Sequence, residues 1–288
     1  MSVVVTGATG HLGRLVVTEL LARGVPAGEV VATGRRTEAL ADLAAQGVRV
    51  VASDYADRGS LEAAFSGADV LVLVSGSEVG QRVEQHRNAV EAAKAAGVSR
   101  VVYTSAPRAT TTDLILAPEH KATEELLAAS GLAVTVLRNN WYTENYVPTV
   151  EQARATGVVL SSAGDGRVAS ASRGDFAAAA AVVATTPGHE GAVYELGGDT
   201  AWTQDDLADA VGQVLDRAVV HRPVTPEEHL AALTTAGLDG PTAQFVVALD
   251  GNIRDGALAE VTGDLSRLIG RPTTPLVDGL RAAVSTAS

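Results

Sequence analysis

The sequence predicts an α/β protein built on a doubly wound parallel sheet, and three observations support this fold class. Short apolar runs alternate with helical patterns through the first half of the chain, as in a parallel sheet covered by helices on both faces. A glycine-rich turn joins the first apolar run to the first helical pattern. The chain of 288 residues is 46% hydrophobic and 19% charged, a composition that allows a large core.

The glycine-rich turn reads TGATGHLG over residues 6–13, between the apolar run 3–5 and a helical pattern that begins near Leu15. Free N–H groups and the positive end of the helix dipole make such a turn a site for anions. The spacing Gly-x-x-Gly-x-x-Gly is a variant of the dinucleotide fingerprint of Rossmann proteins. Because a strand precedes it and a helix follows, we predict a dinucleotide-binding turn.

The second strand is expected over residues 29–34 and ends at Arg35 and Arg36, beside the predicted adenosine ribose. A site specific for NAD usually has an acidic residue here, whereas a guanidinium can bind the 2′-phosphate of NADPH. We therefore predict NADPH, with Arg35 as the first candidate and Arg36 as the second. The alternative is that both are solvated surface charges.

Further strands are expected over residues 48–53, 69–74, 101–105 and 132–137, separated by helices near 37–46, 60–66, 80–96 and 118–129. Ligands of doubly wound sheets bind outside the carboxyl ends of the strands. The strand ends predicted to form one crevice are residues 6–11, 34–36, 54–55, 75–78, 104–106 and 138–142. Asp54 is a candidate for the adenine amino group or a turn-forming residue, and His86 is assigned no role.

The regular alternation ends near residue 143. The triplet 164–166, Gly-Asp-Gly, predicts a tight hairpin between residues 158–160 and Val168. An alanine-rich helix to about residue 185 and a strand over 193–196 should rejoin the sheet. Helices over 203–215, 226–236, 241–250 and 275–286 should cap the crevice. We predict one compact unit, with a dinucleotide core of residues 1–140 and about 174–196 and a smaller, mostly helical cap of residues 141–173 and 197–288.

Composition restricts the class of protein. The net charge of −12 argues against nucleic acid as a partner, because the phosphate backbone would be repelled. The absence of cysteine excludes disulfides, thiolate catalysis and cysteine-ligated metals, and we predict no metal site. The longest apolar run, 176–184, is too short to span a bilayer, and a strand at residue 3 leaves no room for a signal peptide. These features predict a cytoplasmic protein with no membrane partner. A homodimer is one possible assembly.

Several segments along nearly the whole chain resemble the NmrA-like group of atypical short-chain dehydrogenases, and within it the bacterial NADPH:quinone oxidoreductase 2 subfamily. Triphenylmethane reductases are a more distant resemblance. The matching segments are TGATGHLG (6–13), SEVGQR (77–82), QHRNAVEAAKAAGV (85–98), YTS (103–105), LRNNWYTENY (137–146), AGDGRVASASR (163–173), HEGAVYELGGDTAWT (189–203) and LIGRPTT (268–274).

The resemblance implies an oxidoreductase that transfers a hydride from NADPH to a quinone. One departure from the wider short-chain family is important. Most members use a Tyr-x-x-x-Lys pair, but if Lys121 matches the family lysine, Ala117 occupies the tyrosine position. Without that acid the chemistry suits a quinone, whose reduced anion solvent can protonate. The residues predicted to bind NADPH are Thr6, Gly7, Thr9, Gly10, His11, Leu12, Gly13, Arg35, Asp54, Tyr55, Ser75, Gly76, Ser77, Thr104, Asn139, Asn140 and Trp141.

The catalytic candidates each have a structural alternative. His120 is a candidate proton donor if its pKa lies near the working pH, or else a surface residue. Lys121 is a candidate for the nicotinamide ribose, or else it pairs with Glu124 and Glu125 at helical spacing. Ser105 is a candidate substrate ligand or a turn residue.

The aromatic residues Trp141, Tyr142 and Tyr146 cluster at a strand end in a chain that is only 3% aromatic. They predict a pocket for a planar quinone, with core packing as the alternative for each ring. Two other functions remain open. One is an NADPH-dependent carbonyl, imine or dye reductase, and the other is a non-catalytic redox-sensing regulator that binds NADP.

Overall fold

A computed structural model describes residues 1–287, with side chains through residue 285, and confirms the doubly wound parallel sheet. Seven strands form the main sheet in the order β3-β2-β1-β4-β5-β6-β8, and every neighbouring pair in it is parallel. The strands in the described residues are β1 (Val3–Val5), β2 (Val30–Gly34), β3 (Arg49–Ala52), β4 (Val70–Leu73), β5 (Arg100–Ser105), β6 (Ala133–Asn139), β7 (Val158–Ser161), β8 (Val193–Leu196) and β9 (Val220–Pro223).

Helices cover both faces of the sheet and build the cap. They are α1 (His11–Ala22), α2 (Ala41–Ala45), α3 (Arg58–Phe65), α4 (Arg82–Ala95), α5 (Ala117–Ala128), α6 (Val147–Thr156), α7 (Arg173–Thr185), α8 (Gln204–Leu215), α9 (Pro226–Thr235), α10 (Gly240–Arg254), α11 (Asp264–Ile269) and α12 (Leu276–Ala287). Short 3-10 turns lie at Ala27–Glu29, Thr37–Leu40 and Thr143–Tyr146. Most predicted helix limits agree with these bounds, whereas α10 is longer than expected.

Two apolar clusters lie on opposite faces of the sheet. On one face Val16 of α1 and Phe176 of α7 pack over the central strands, and on the other Phe65 of α3 and Ala93 of α4 do so. β1 and β4 are buried at every position, which is why they read as uninterrupted runs of valine and leucine. The strand ends are thereby held at one edge.

The short helix α11 was not predicted, and it lies on the core side of the molecule. Its Leu265 is fully buried in the same cluster as α1 and α7, and the helix packs against α7 and β8. We therefore propose that residues 264–269 belong with the dinucleotide core, although the sequence placed them in the cap.

The cap has its own apolar cluster and a small second sheet. Trp202, Val211 and Ile253 are buried in this cluster with residues of α6 and α12. The predicted hairpin is wrong, because β7 pairs in parallel with β9 and Val168 instead forms an antiparallel bridge with Trp202. The triplet 164–166 still makes a turn, in which the Gly166 N–H donates to the Ala163 carbonyl at 3.1 Å. Turn signals are local, and they do not identify a partner strand sixty residues away along the chain.

Two kinds of feature are absent from the described residues. No helix there has both the length and the apolar character needed to cross a bilayer. No group of three histidine, cysteine, aspartate or glutamate side chains in that part of the chain is arranged to bind a metal ion.

Candidate active site

A cavity of about 550 Å³ lies at the carboxyl ends of the sheet strands, and Leu258 of the cap contributes to its wall. Most of the residues predicted as ligands surround it. The predicted residues that line it are Thr6, Gly7, Thr9, Gly10, His11, Leu12, Gly13, Arg35, Arg36, Asp54, Tyr55, Ser75, Gly76, Ser77, Ser105, His120, Asn139, Asn140, Trp141 and Tyr142. Thr104, Lys121 and Tyr146 are not among the lining residues.

The glycine turn leaves the start of α1 open toward the cavity. Gly7 has a φ of +60°, a conformation that favours glycine. A Cβ at Gly13 would lie 2.4 Å from the Gly7 carbonyl oxygen, so only glycine allows this close approach. Helix α1 has no side-chain cap and no acidic residue in its first turn. Its N–H groups and dipole are therefore suited to an anionic diphosphate.

Arg35 stands at the cavity edge with a side chain that is 63% exposed. Its Nη1 donates to Glu78 Oε1 at 2.9 Å, and Gln85 Nε2 donates to the other oxygen of Glu78 at 2.7 Å. Arg36 lines the same end of the cavity. A phosphate bound at this end would lie near the guanidinium groups of Arg35 and Arg36. The Glu78 carboxylate holds the Arg35 guanidinium in place.

The adenine-side residues Asp54 and Tyr55 both line the cavity and both have structural bonds. Asp54 Oδ1 accepts from the Ala56 N–H at 2.9 Å, which is the turn-forming alternative. The Tyr55 hydroxyl donates to Thr6 Oγ1 at 2.7 Å and so ties the third strand end to the first. Each residue can therefore shape the pocket without contacting a base.

Helix α4 holds the loop after β4 in place at Gly76. It does so partly through His86, to which the sequence assigned no role. His86 Nε2 accepts from the Gly76 N–H at 3.0 Å, and Arg82 Nε donates to the Gly76 carbonyl at 2.7 Å. The same Arg82 pairs with Glu119 at 2.8 Å. Arg82, His86 and Ala89 share one helical face by their spacing of four and three residues, a signal that the sequence already contained. His86 is thus a positioning residue for the cavity wall.

Acid is expected to destabilise the protein through its buried histidines. Burial, together with the nearby His120 and Arg82, lowers the pKa of His86 to about 3, whereas an unfolded histidine titrates near 6.5. The unfolded chain therefore binds the proton first, so stability is full above pH 6.5 and is lost as the pH falls toward 3. We expect the free energy of unfolding to decline by up to about 1.4 kcal/mol per pH unit for this group. Urea unfolding at pH 7.5, 6 and 5 measures the slope.

A matched pair of variants assigns that slope to His86. His86→Gln should reduce the dependence on pH, whereas His11→Gln changes an exposed histidine and should leave it as in the wild type. Equal slopes in the wild type and His86→Gln would contradict the assignment.

Asn139 is one of the residues that line the cavity, and its side-chain carbonyl is unsatisfied. The residue is only 6% exposed, and its buried Oδ1 has no hydrogen-bond partner among the described residues. Its Nδ2 lies 3.4 Å from the Tyr142 hydroxyl. A buried carbonyl without a donor is costly, so this atom fits a ligand that supplies an amide N–H, such as a carboxamide.

Ser105 lines the cavity, but its proton is already engaged. The Ser105 hydroxyl donates to Glu124 Oε1 at 2.6 Å, and Glu124 in turn binds Arg138 in a bidentate pair at 3.0 and 2.6 Å. Arg138 also donates to Glu195 at 2.8 Å. The hydrogen bonds that Arg138 donates to Glu124 and Glu195 raise the pKa of Arg138. A carboxylate only accepts, so Ser105 can offer the cavity an acceptor but no donor.

Two predicted site residues lie elsewhere. Lys121 is exposed, and the expected pair with Glu124 is wrong, since Glu124 binds Arg138 instead. Thr104 is buried behind the wall, where its hydroxyl accepts from the Ser75 N–H at 2.9 Å. The first is therefore no longer a catalytic candidate, and the second supports the loop that does line the cavity.

His120 is buried, so its interpretation as a surface residue is wrong. It lines the cavity, and its Nδ1 lies 2.7 Å from the Tyr103 hydroxyl. Burial, with a smaller effect of the Arg82 charge, lowers the pKa of His120 to about 3. The condition for a proton donor, a pKa near the working pH, is therefore not met, and at pH 7 the ring is a neutral imidazole.

The aromatic cluster divides between the cavity and the cap. Trp141 and Tyr142 line the cavity, and Tyr142 packs edge-on against Phe176 at 5.3 Å. Tyr146 turns away and packs against Trp202 at 5.0 Å. The predicted contact of Tyr146 with a substrate is wrong, because the apolar cap cluster draws this ring inward.

The doubly wound sheet, the glycine turn and the crevice at the strand ends define a dinucleotide-binding α/β protein. A family model described as NAD(P)H-binding matches residues 7–187. The chain belongs to this NAD(P)H-binding family, and the resemblance to the quinone oxidoreductase 2 group is confirmed by its relatives.

Three comparisons describe those relatives. The chain is 45% identical to quinone oxidoreductase 2 of Escherichia coli over 278 residues, 96% of this chain and 97% of the relative. The crystal structure of the E. coli NADPH-dependent quinone oxidoreductase complexed with NADPH has a TM-score of 0.92 at 44% identity, and 99% of each chain is covered. Triphenylmethane reductase of a Citrobacter species, complexed with NADP(H), has a TM-score of 0.93 at 38% identity, with 98% of this chain and all of that one covered.

Proposed function

We propose that the protein transfers a hydride from NADPH to a quinone. The observation that carries this proposal is the 45% identity to E. coli quinone oxidoreductase 2 across nearly the full length of both chains. The fit of the cavity to NADPH supports it. The open start of α1 would hold the diphosphate, Arg35 the 2′-phosphate and Asn139 the carboxamide.

The far end of the cavity suits a flat acceptor. Ala106, Pro107, Leu114 and Leu116 form an apolar wall beside Trp141. When bound, NADPH supplies the hydride. The residues of the chain hold acceptor and donor in contact in a pocket that limits water, and this positioning is their main contribution. Ala117 leaves no tyrosine at the family's acid position, and a hydroquinone anion can take its last proton from solvent.

A panel of acceptors tests the proposal. Purified protein should oxidise NADPH when 1,4-benzoquinone is added, and NADH should be a much poorer donor. The panel includes a triphenylmethane dye, an azo dye, an aldehyde and an imine, because the Citrobacter match favours dye reduction as the second candidate function. Absence of turnover with every quinone would refute the proposal. Nucleotide binding without turnover of any acceptor would instead favour a redox-sensing regulator.

Arg35→Ala is expected to weaken NADPH binding by about 10- to 100-fold, the effect of losing a charge-assisted hydrogen bond to a phosphate. NADH lacks that phosphate, so its affinity should change by less than about 3-fold. The nucleotide fluorescence of both cofactors during titration gives the two dissociation constants.

Two further arginine variants show whether the loss of NADPH affinity is specific to Arg35. Arg36→Ala tests the second candidate for the same phosphate. Arg49→Ala removes an exposed arginine on β3 outside the cavity and should leave both affinities unchanged. An equal loss for NADPH and NADH in Arg35→Ala would remove Arg35 from the phosphate site.

A further inference from the structure

The neutral His120 ring has a defined tautomer, which follows from its partner on β5. The Tyr103 side chain is fully buried, and its hydroxyl has two polar neighbours, His120 Nδ1 at 2.7 Å and the Thr123 side chain. If His120 were the donor in that bond, the phenol would have to donate to the Thr123 oxygen, which already accepts from His86, in place of the short direct bond to a ring nitrogen. The short direct bond favours Tyr103 as the donor and Nδ1 as the acceptor.

The protons of the neighbouring groups are already used. Thr123, the other neighbour of the phenol, donates its hydroxyl proton to the Glu119 carbonyl at 2.9 Å. His86 accepts from Gly76 through Nε2, so its proton is on Nδ1 and is donated to Thr123 at 2.9 Å. Neither Thr123 nor His86 can supply a proton to Nδ1 of His120.

The proton of the His120 ring is therefore on Nε2. Within the described residues no group is hydrogen-bonded to that nitrogen, and the ring is part of the cavity wall. Burial and, to a smaller extent, the charge of Arg82 on the adjacent α4 disfavour a second proton, so the ring stays neutral. The result is a fixed N–H donor at the end of the cavity formed by β5 and β6, away from the adenosine end at Arg35.

Of the three side chains predicted as catalytic, His120 is the one that can donate to an acceptor bound there. Lys121 is exposed outside the cavity, and the Ser105 proton is held by Glu124. A quinone oxygen only accepts hydrogen bonds. Its negative charge grows as the hydride arrives, and this is where a preorganised donor is most effective.

We propose that His120, as a neutral imidazole, donates a hydrogen bond from Nε2–H to the quinone oxygen on which negative charge develops. Tyr103 is a positioning residue that fixes the donating tautomer. The inference rests on the proposed quinone reduction. In that step the hydride brings two electrons and one hydrogen to the quinone, NADPH becomes NADP⁺, and the hydroquinone monoanion takes its second proton from water. His120 keeps its own proton throughout, and so it needs no imidazolium form.

Nitrogen NMR of the free protein tests the tautomer without any turnover. With ¹⁵N-labelled histidine, His120 among the six histidines should show a protonated Nε2 and an unprotonated Nδ1, unchanged from pH 6 to 8. In Tyr103→Phe the same ring should become a mixture of tautomers. A protonated Nδ1 in the wild type, or titration of the ring within that range, would overturn the proposal.

Kinetics with a series of quinones tests the donor. His120→Leu should lower kcat about 100-fold for an electron-rich quinone, the usual effect of losing a preorganised donor at a developing oxyanion. The loss should shrink to less than about 5-fold for an electron-poor quinone, whose anion needs less stabilisation. His120→Gln, whose amide can donate from a similar position, should recover a large part of the rate. NADPH affinity should remain that of the wild type in both variants.

A second histidine–tyrosine pair provides the matched control. His189 Nδ1 lies 2.7 Å from the Tyr194 hydroxyl, outside the cavity. His189→Leu removes the same contact and should lower all quinone rates by one common small factor or by none. Tyr142→Phe and Trp141→Phe test the other donors around the cavity.

The possible outcomes separate the two proposals. If the wild type reduces no quinone, the proposed function fails and this inference fails with it. If the wild type reduces quinones and His120→Leu loses the same factor for every quinone, only the inference fails. It also fails if Tyr142→Phe or Trp141→Phe, rather than His120→Leu, shows the dependence on the quinone.

Discussion

Gly13→Ala is expected to abolish nucleotide binding. The added Cβ would lie 2.4 Å from the Gly7 oxygen, 2.7 Å from the Gly7 carbonyl carbon and 2.9 Å from the Ala8 nitrogen. All three atoms are backbone, so no side chain can rotate away and the turn itself must move. Each hydrogen bond to a charged phosphate contributes about 1.5–3 kcal/mol, so misplacing even two should weaken NADPH by more than about 100-fold. Fluorescence titration measures the dissociation constant.

Two other glycines make this prediction specific. Gly28→Ala adds a methyl group where no atom lies within 4 Å, and it should bind NADPH as the wild type does. Gly34→Ala brings its Cβ to 2.8 Å from Thr9 Oγ1, but this side chain can rotate, so the loss should be intermediate. Circular dichroism shows whether each variant is folded. A Gly13→Ala protein that is folded and binds NADPH within 3-fold of the wild type would contradict the role of the turn.

The sheet and its crevice could be predicted because they depend on local sequence. β1 and β4 are uninterrupted apolar runs, and the glycine spacing over residues 6–13 reports the turn directly. In a parallel sheet the carboxyl ends of the strands meet at one edge, so the predicted strand ends line one cavity. Periodicity and topology were sufficient for these features.

The side-chain partners could not be predicted in the same way. Glu124 lies three residues after Lys121 on α5, which favoured a local pair, yet Arg138 of β6 binds it instead. A bidentate pair in a poorly hydrated site is stronger than an exposed pair at helical spacing. Likewise, no pattern in the sequence indicates that Tyr103 of β5 contacts His120 of α5, the contact on which the proposed tautomer of this histidine rests.

The cavity wall therefore depends on contacts that join different elements. Gly76 is held by α4 through His86 and Arg82, and Ser105 is held by α5 through Glu124. Histidines that look ordinary in a helical pattern thus have specific hydrogen-bond partners once the helix is placed against the sheet. These partners are seen only in the three-dimensional arrangement, since no spacing along the chain specifies them.

Arg138→Met is expected to cause the largest loss of stability. The Arg138 side chain is 13% exposed and lies between Glu124, 9% exposed, and Glu195, 24% exposed. Methionine keeps most of the volume but leaves two carboxylates without their shared cation. Breaking a buried ion pair in this way costs about 3–5 kcal/mol. Urea unfolding at pH 7.5 measures the loss.

Arg154→Met is the matched control, since it removes the same side chain from an exposed pair. Arg154 and Glu151 are each 53% exposed, so this substitution should cost no more than about 1 kcal/mol. Adding Glu124→Gln to Arg138→Met removes one of the stranded charges and should restore part of the stability. Equal losses in Arg138→Met and Arg154→Met, or no recovery in the double variant, would show that the Arg138 cluster contributes no more than a surface pair. If Arg138→Met costs more stability than Arg154→Met, as expected, the Arg138 cluster links α5, β6 and β8. The cavity wall at Ser105 depends on this link.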